Sequence, residues 1–491
     1  MSRPRSRTVG SFLVLFGLGV ACTGPQGSPR GEVPPAVSPP TIAVDERADW
    51  PTFGGDPQRT GFNADESLLG PDNADSLALA WKAELRGAVI ASSVLAPQVD
   101  VGGTRRDLVF VGDEAGYLYA LDAATGEIVW ERSLGAVKTD CQDMPHGRFG
   151  ITGTPVVDRS TDRIYVVAGD GNAYAINMAT GEIQPGWPVA ITATPEREQV
   201  YGGMNLWEGR LYTALASVCL TPPYHGRAVA IDVVAAEVTA EFYVIPPDGP
   251  SGGGVWGPGG VSIDPEDRAV YMATGNALTE PQHYAYAEHV LRLTPKLRLE
   301  AKNYPGIPGL DSDFGSTPIL FDPPNCPPQL AVENKRGILF IYERDAIDRG
   351  PTQRLQVANV EGWAFIGIPA YSPPTRMLYV STPSDSGRFR RGLVAFRVRR
   401  DCSLGMAWQA PVAGEEGVAS RPLSPPTVAN GVVYVGSGAQ GEVLALDGQT
   451  GQQLWESGET MEGRVVAAPM VVNGYVYVGS SGNAFYAFSP R

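Results

Sequence analysis

Three stretches of the chain repeat one pattern: ALDAATGEIVW at residues 120–130, ALDGQTGQQLW at 445–455 and, with two residues inserted, AINMATGEIQPGW at 175–187. In each, an alternating strand ends on Asp or Asn, a Thr-Gly pair makes a tight turn, and a second strand carries a Trp. The small Ala lets a neighbouring sheet approach, and the polar side chain ends the strand. Gly126, Gly181 and Gly451 supply the turn conformation, and the Trp is buried between sheets. Weaker copies fill the rest of the chain. Aligned on the Ala, the column reads Ala120, Ala175, Ala230, Arg292, Ile341, Ala395, Ala445 and Ala487. The mean spacing is about 52 residues, the length of a four-stranded blade. Ahead of each lies a β-rich run: LVFVG (108–112), IYVVA (164–168), LYTAL (211–215), VYMAT (270–274), LAVEN (330–334), LYVST (378–382) and VYVGS at both 433–437 and 476–480.

These eight units predict an all-β chain folded as an eight-bladed β-propeller of four-stranded antiparallel blades. The last unit, ending FYAFSPR, has no Trp strand of its own, whereas LALAWKAEL (77–85) is such a strand with no unit before it. Pairing the two closes the ring and removes an exposed edge.

With 43% apolar residues the chain can build a core, despite 59 Gly and 43 Pro. The net charge of −15 argues against nucleic acid as a partner. Residues 1–21 read as an export signal: Arg3, Arg5 and Arg7 precede a short apolar run, Val9–Val20, and Gly19-Val20-Ala21-Cys22 places small residues ahead of a cysteine. The segment resembles a lipoprotein signal, in which Cys22 is acylated, with ordinary cleavage after Ala21 as the alternative. Gly19 stands where that signal usually has Leu. Residues 22–48 are Pro- and Gly-rich and read as a tether, and 49–491 as the propeller. The protein is thus expected outside the cytoplasm, lipid-anchored to the envelope, periplasmic or at the surface.

In a propeller whose blade strands run A to D from the axis outward, the B–C and D–A loops emerge on one face and the A–B and C–D turns on the other. Cys141 (a D–A loop) and Cys219 (a B–C loop) then share a face, and Cys326 (A–B) and Cys402 (C–D) share the opposite one. Bonded Cα atoms lie about 4.4–6.8 Å apart, so disulfides Cys141–Cys219 and Cys326–Cys402 are expected in an oxidising compartment. No C-x-x-C-H is present, so no covalent haem is expected.

The A-x-[DN]-x-x-T-G-x-x-x-W repeat resembles the docking motif of PQQ-repeat (quinoprotein alcohol dehydrogenase-like) propellers. DWPTFGGDPQRTGFN (49–63) is similar to their lead-in. Within residues 200–345, VYMATGN places Asn276 after strand B of blade 4. GLDSDFGSTPIL places Asp311 and Asp313 in the entry loop of blade 5, and VENKRGILFIY places Lys335 after strand B of that blade. This set resembles the quinoprotein alcohol dehydrogenases, including the polyvinyl-alcohol type. The resemblance implies pyrroloquinoline quinone (PQQ) and Ca²⁺ as cofactors, with Asn276 and Asp313 as metal ligands. It makes Asp313, with Asp311, catalytic, and Lys335 the quinone contact. Hard oxygen ligands suit calcium, and a carboxylate can take an alcohol proton. The substrate would be an alcohol or sugar, with a separate electron acceptor. The sequence departs from that pattern in the B–C loop of blade 3, SVCLTPPYHGR (217–227), which holds no acid where the family has a glutamate; Leu220 stands near the place. The bland reading of Asn276, Asp311, Asp313 and Lys335 is that of turn residues and a solvated lysine. Trp256, Trp207, Trp363 and His146 map on or near the same face and, as lone residues, read as blade packing, with Trp256 carried as a candidate cofactor contact. The layout also resembles the outer-membrane assembly lipoprotein BamB, which implies a non-catalytic scaffold binding envelope proteins.

Overall fold

The computed structural model describes residues 47–141, 144–359, 367–412, 423–438 and 441–491. Eight antiparallel sheets follow one another along the chain as blades. Blade 1 has strands 94–101, 104–112, 117–122 and 128–133; blade 2 has 156–158, 163–167, 172–177 and 189–190; blade 3 has 205–207, 210–215, 227–232 and 237–243. Blade 4 has 262–264, 269–273, 290–293 and 299–303; blade 5 has 319–321, 329–333, 338–343 and 353–356; blade 6 has 370–372, 377–382, 392–398 and 404–411. Blade 7 has 427–429, 432–437, 442–447 and 453–456. Blade 8 takes its inner three strands, 470–472, 475–480 and 484–490, from the C-terminus and its outer strand, 77–84, from the N-terminal side, with Leu77 opposite Pro490 and Glu84 opposite Ala484. All eight members of the Ala column lie in third strands.

The repeated residues dock one blade on the next. The Trp81 indole N–H, on the outer strand of blade 8, donates to Ala123 O of blade 1 at 3.0 Å, and its ring lies over Gly126. Trp130 of blade 1 donates to Met178 O of blade 2 at 2.8 Å and covers Gly181; Trp408 of blade 6 donates to Gly448 O of blade 7 at 3.1 Å and covers Gly451. A Cβ on Gly126 would stand 2.5 Å from the Trp81 ring, so glycine is required there for contact as well as for its φ of +74°. Tyr477 and Tyr379 add a second donor to Ala123 O and Gly448 O. Asp122, Asn177 and Asp447 each accept two backbone N–H groups of the turn that follows them.

The lead-in meets the inner strand of every blade in turn. Trp50 exchanges backbone bonds with Leu95 of blade 1, and Pro51 O accepts from Val157 N of blade 2. Thr52 Oγ1 donates to Met204 O at the start of blade 3, and Pro57 O accepts from Ile263 N of blade 4. Gln58 O, Thr60 O and Gly61 O accept from Leu320 N, Tyr371 N and Val428 N of blades 5, 6 and 7. Asn63 Nδ2 donates to Val471 O of blade 8 at 2.8 Å. Arg59, 0% exposed, gives its guanidinium to Thr52 Oγ1, Phe53 O, Met204 O and Val261 O. Burial depresses its pKa to about 9 against the opposing pull of Asp56.

Both disulfides join the cysteines paired above: Cys141 to Cys219 and Cys326 to Cys402, each with Cα atoms 5.6 Å apart. Trp207 departs from its expected place. It ends the first strand of blade 3, at an A–B turn and therefore on the opposite face, under the Arg268 guanidinium at 5.0 Å. Trp363 and Cys22 lie outside the described residues.

The closure makes a direct prediction. Trp81→Ala should lower stability by about 3–5 kcal/mol, and deletion of 77–85 should abolish cooperative unfolding. A deletion variant that melts at the wild-type temperature would overturn the closure.

Candidate functional site

Asn276, Asp311, Asp313 and Lys335 come together on the B–C/D–A face of blades 4 and 5. Asp313 is 1% exposed, and its Oδ1 accepts the Asn276 backbone N–H at 2.7 Å. Its Oδ2 faces Lys335 Nζ at 2.6 Å, and the same ammonium reaches Asp311 Oδ1 at 2.9 Å. Lys335 is only 5% exposed, so it is no solvated turn residue. Its backbone N–H also holds Asp313 O, at 2.9 Å. Gly275 fits because it has no side chain: a Cβ there would strike Asp313 Oδ1 and stand 2.6 Å from Trp256 Nε1. Trp256, 5% exposed, is therefore beside Asp313.

The charges respond to one another. Burial raises the Asp313 carboxyl above its usual range, with Lys335 opposing and Asp311 adding to the rise. Burial would also raise Asp311, but the Lys335 ammonium carries it below the usual value. Lys335 itself is pushed up, because the two carboxylates outweigh the desolvation that would lower it. The ammonium and Asp311 are thus charged at neutral pH.

Two residues that sequence reasoning passed over share this site. Glu288, 3% exposed, lies just ahead of the third strand of blade 4 and near the Ser312 backbone, whose N–H opposes the rise of its carboxyl. Burial, then Asp313, pushes its carboxyl to about 7. Tyr224, 1% exposed, comes from the blade 3 loop that lacks the acid. Ser251 Oγ holds its backbone N–H at 2.9 Å, and burial and then the Asp313 and Asp311 charges raise its phenol. Neither has a motif around it; PPYHG and YAEHV become site segments only once the loops fold inward. Leu220 is half-buried, with φ of +49°, at the edge of that blade 3 loop, and His146 is exposed.

A flat, oxygen-rich quinone suits these residues. The buried Lys335 ammonium and the Trp256 indole stand together, and Tyr224 Oη, Asn276 Oδ1 and Glu288 Oε1 are buried without hydrogen-bond partners among the described residues. Buried polar atoms are normally satisfied, so such a group of orphans marks a binding place. Calcium is another matter. It takes six to eight oxygens. Among the described residues no group of three or more Asp, Glu, His or Cys can hold a metal ion. The ammonium already stands between the two carboxylates. The side chains as they stand do not make up such a shell.

Fold and site together define an eight-bladed propeller of the PQQ-repeat class with a buried carboxylate–ammonium centre on one face. The chain belongs to the family described as outer membrane protein assembly factor BamB, which it matches over residues 54–220 and 405–491, just over half its length. It is also similar to polyvinylalcohol dehydrogenase from Pseudomonas sp., 23% identical over 87% of this chain and 69% of that one. The same enzyme from Sphingopyxis sp. (strain 113P3) is 23% identical over 71% of this chain; the chain spans only 59% of that relative's length. Among solved structures, quinohemoprotein alcohol dehydrogenase ADHIIG from Pseudomonas putida HK5 superposes with a TM-score of 0.70 at 15% identity, covering 91% of this chain and 81% of that one.

Glu288 makes the site visible in stability. Its folded pKa of about 7 lies above the ordinary 4.5, so its contribution is fully present below pH 4.5 and is lost as pH rises through about 7. Glu288→Gln should flatten that part of the decline in melting temperature. A variant that declines as steeply as wild type would refute the shifted carboxyl.

Proposed function

We propose that this protein is a PQQ-dependent dehydrogenase of alcohols or sugars that passes electrons to a separate acceptor, exported and held at the cell envelope through an acylated Cys22. The carrying observation is Asp313: a carboxylate sealed from solvent, gripped by the Asn276 N–H on one oxygen and by Lys335 on the other. The polyvinylalcohol dehydrogenase relatives support the reaction class.

Lys335, Trp256 and Asn276 are the residues that would hold the quinone. When bound, it supplies the two-electron acceptor that no side chain can offer. The chain's own part is acid–base and electrostatic. Asp313 takes the hydroxyl proton of the substrate, a role its burial favours by raising its basicity. The Asn276 N–H fixes the direction of the carboxylate, and the missing side chain of Gly275 lets the carboxylate and the Trp256 indole approach each other. The Lys335 ammonium offers a fixed positive charge to oxygens that become negative during oxidation, at a place where water does not screen it.

Purified protein given PQQ should retain the quinone through gel filtration and oxidise members of an alcohol and sugar panel in a dye-linked assay. Asp313→Asn should keep the far-UV circular dichroism and lower turnover by about 10²–10⁴-fold. If wild type retains no quinone, the proposal fails. The family match then favours the second reading, a BamB-like scaffold whose partners are envelope proteins. The anchor has its own test: Cys22→Ser should move the protein from the membrane to the soluble fraction, and continued membrane association would reject acylation at that residue.

A further inference from the structure

The loop that carries the two aspartates is closed around cations of the chain's own. Lys335 and Arg336 are consecutive residues of the B–C turn of blade 5, and the 309–313 loop wraps both. Lys335 Nζ bonds Asp311 Oδ1 and Asp313 Oδ2 at 2.9 and 2.6 Å, and its backbone N–H bonds Asp313 O. The Arg336 guanidinium bonds Leu310 O, and its Nε donates to Ser312 Oγ at 3.3 Å. Arg336 also acts electrostatically on Asp311. Two carboxylates therefore face two fixed cations, and the loop is close to neutral. The blade 3 loop, which has no acid, contributes the buried phenol of Tyr224.

We infer that the Lys335 ammonium is the resident cation of this site, standing where related propellers would place a metal ion, and that the protein neither binds nor requires calcium there. A divalent ion entering between Asp311 and Asp313 would have to displace the buried Lys335 ammonium or share the carboxylates with it at contact distance. Like charges that close repel by several times the thermal energy even at an effective dielectric constant of about 20. The oxygens that would remain, from Asn276 and one or two carboxylates, fall well short of the six to eight that calcium takes. The inference deepens the dehydrogenase reading but does not stand or fall with it, since it concerns cation binding by the protein alone.

Terbium(III) probes it, because it takes calcium-type oxygen sites and emits when excited through a nearby indole such as Trp256. Full-length protein stripped with chelator, without quinone, should show no saturable Trp-sensitised emission that Asp313→Asn removes. Lys335→Met frees both carboxylates and should create such a site, with an affinity about a hundredfold or more above any wild-type binding; adding Asp313→Asn to it should abolish the signal. Lys335→Arg keeps the charge and should remain silent. Saturable wild-type binding that calcium competes away and Asp313→Asn eliminates would overturn the inference, whether or not Lys335→Met folds. Isothermal titration of folded wild type with calcium alone needs no mutation: it should show no saturable heat, and a saturable isotherm at this site would overturn the inference. Where turnover with quinone is observed, it should persist undiminished in excess chelator; its loss, restored by calcium, would likewise overturn the inference.

Discussion

A ring of sheets leaves unpaired edges wherever a strand lacks a neighbour, and those amides must find partners or attract other chains. In this protein one short N-terminal stretch answers both sources of the problem. Residues 50–63 run past the inner strands of all eight blades and take up hydrogen bonds from each in order, from Leu95 to Val471. Residues 77–84 then become the missing outer strand of the last blade. The lead-in depends on Arg59, whose guanidinium has no exposure and makes four hydrogen bonds to Thr52, Phe53, Met204 and Val261. A buried charge is tolerated when its donors are satisfied, and here the acceptors come from three separate parts of the chain.

That closure is what gives the site its precision. Asn276 and Asp313 sit in different blades, and Lys335 approaches from a third loop, so their mutual distances depend on how neighbouring sheets are docked. The docking is set at the blade rims, where an indole from one blade lies on the Thr-Gly turn of the next. Rigid blades can then carry irregular loops. Asp311 and Glu288, both at the carboxylate centre, have left-handed backbone with φ of +54° and +56°. Strain of that kind is sustained only where the surrounding structure holds it.

The centre itself illustrates how one family pattern can keep its geometry while its charges are rearranged. Asn276 and Asp313, which the quinoprotein resemblance singles out, are in contact through the Asn276 backbone N–H. The acid that would complete a metal shell is not, and the blade 3 loop offers Tyr224 in its stead. The carboxylates are neutralised by lysine and arginine instead. Affiliation with the BamB family and similarity to dehydrogenases are compatible on this fold, because the propeller is a frame and the chemistry lies in the loops of blades 3 to 5.

The blade count, the ring closure, the two disulfide pairs and the face shared by Asn276, Asp311, Asp313 and Lys335 were legible in the sequence. Each follows from local periodicity: a strand alternation, a turn glycine and a repeat length decide where a loop must emerge, whatever its residues do there. Trp207 was misplaced although the Glu208-Gly209 turn, with φ of +46° and +72°, follows it directly and puts it at the A–B end of its strand, opposite Arg210. The roles of Glu288, Tyr224 and Arg59 came only from the tertiary structure. Nothing in YAEHV, PPYHG or DPQRTG distinguishes a buried charge or phenol from a surface one, since burial depends on which distant loop covers it. The state of Lys335 was undecidable for the same reason. Whether an ammonium is solvated or locked between two carboxylates depends on distances between loops 24 residues apart, and only the folded ring sets them.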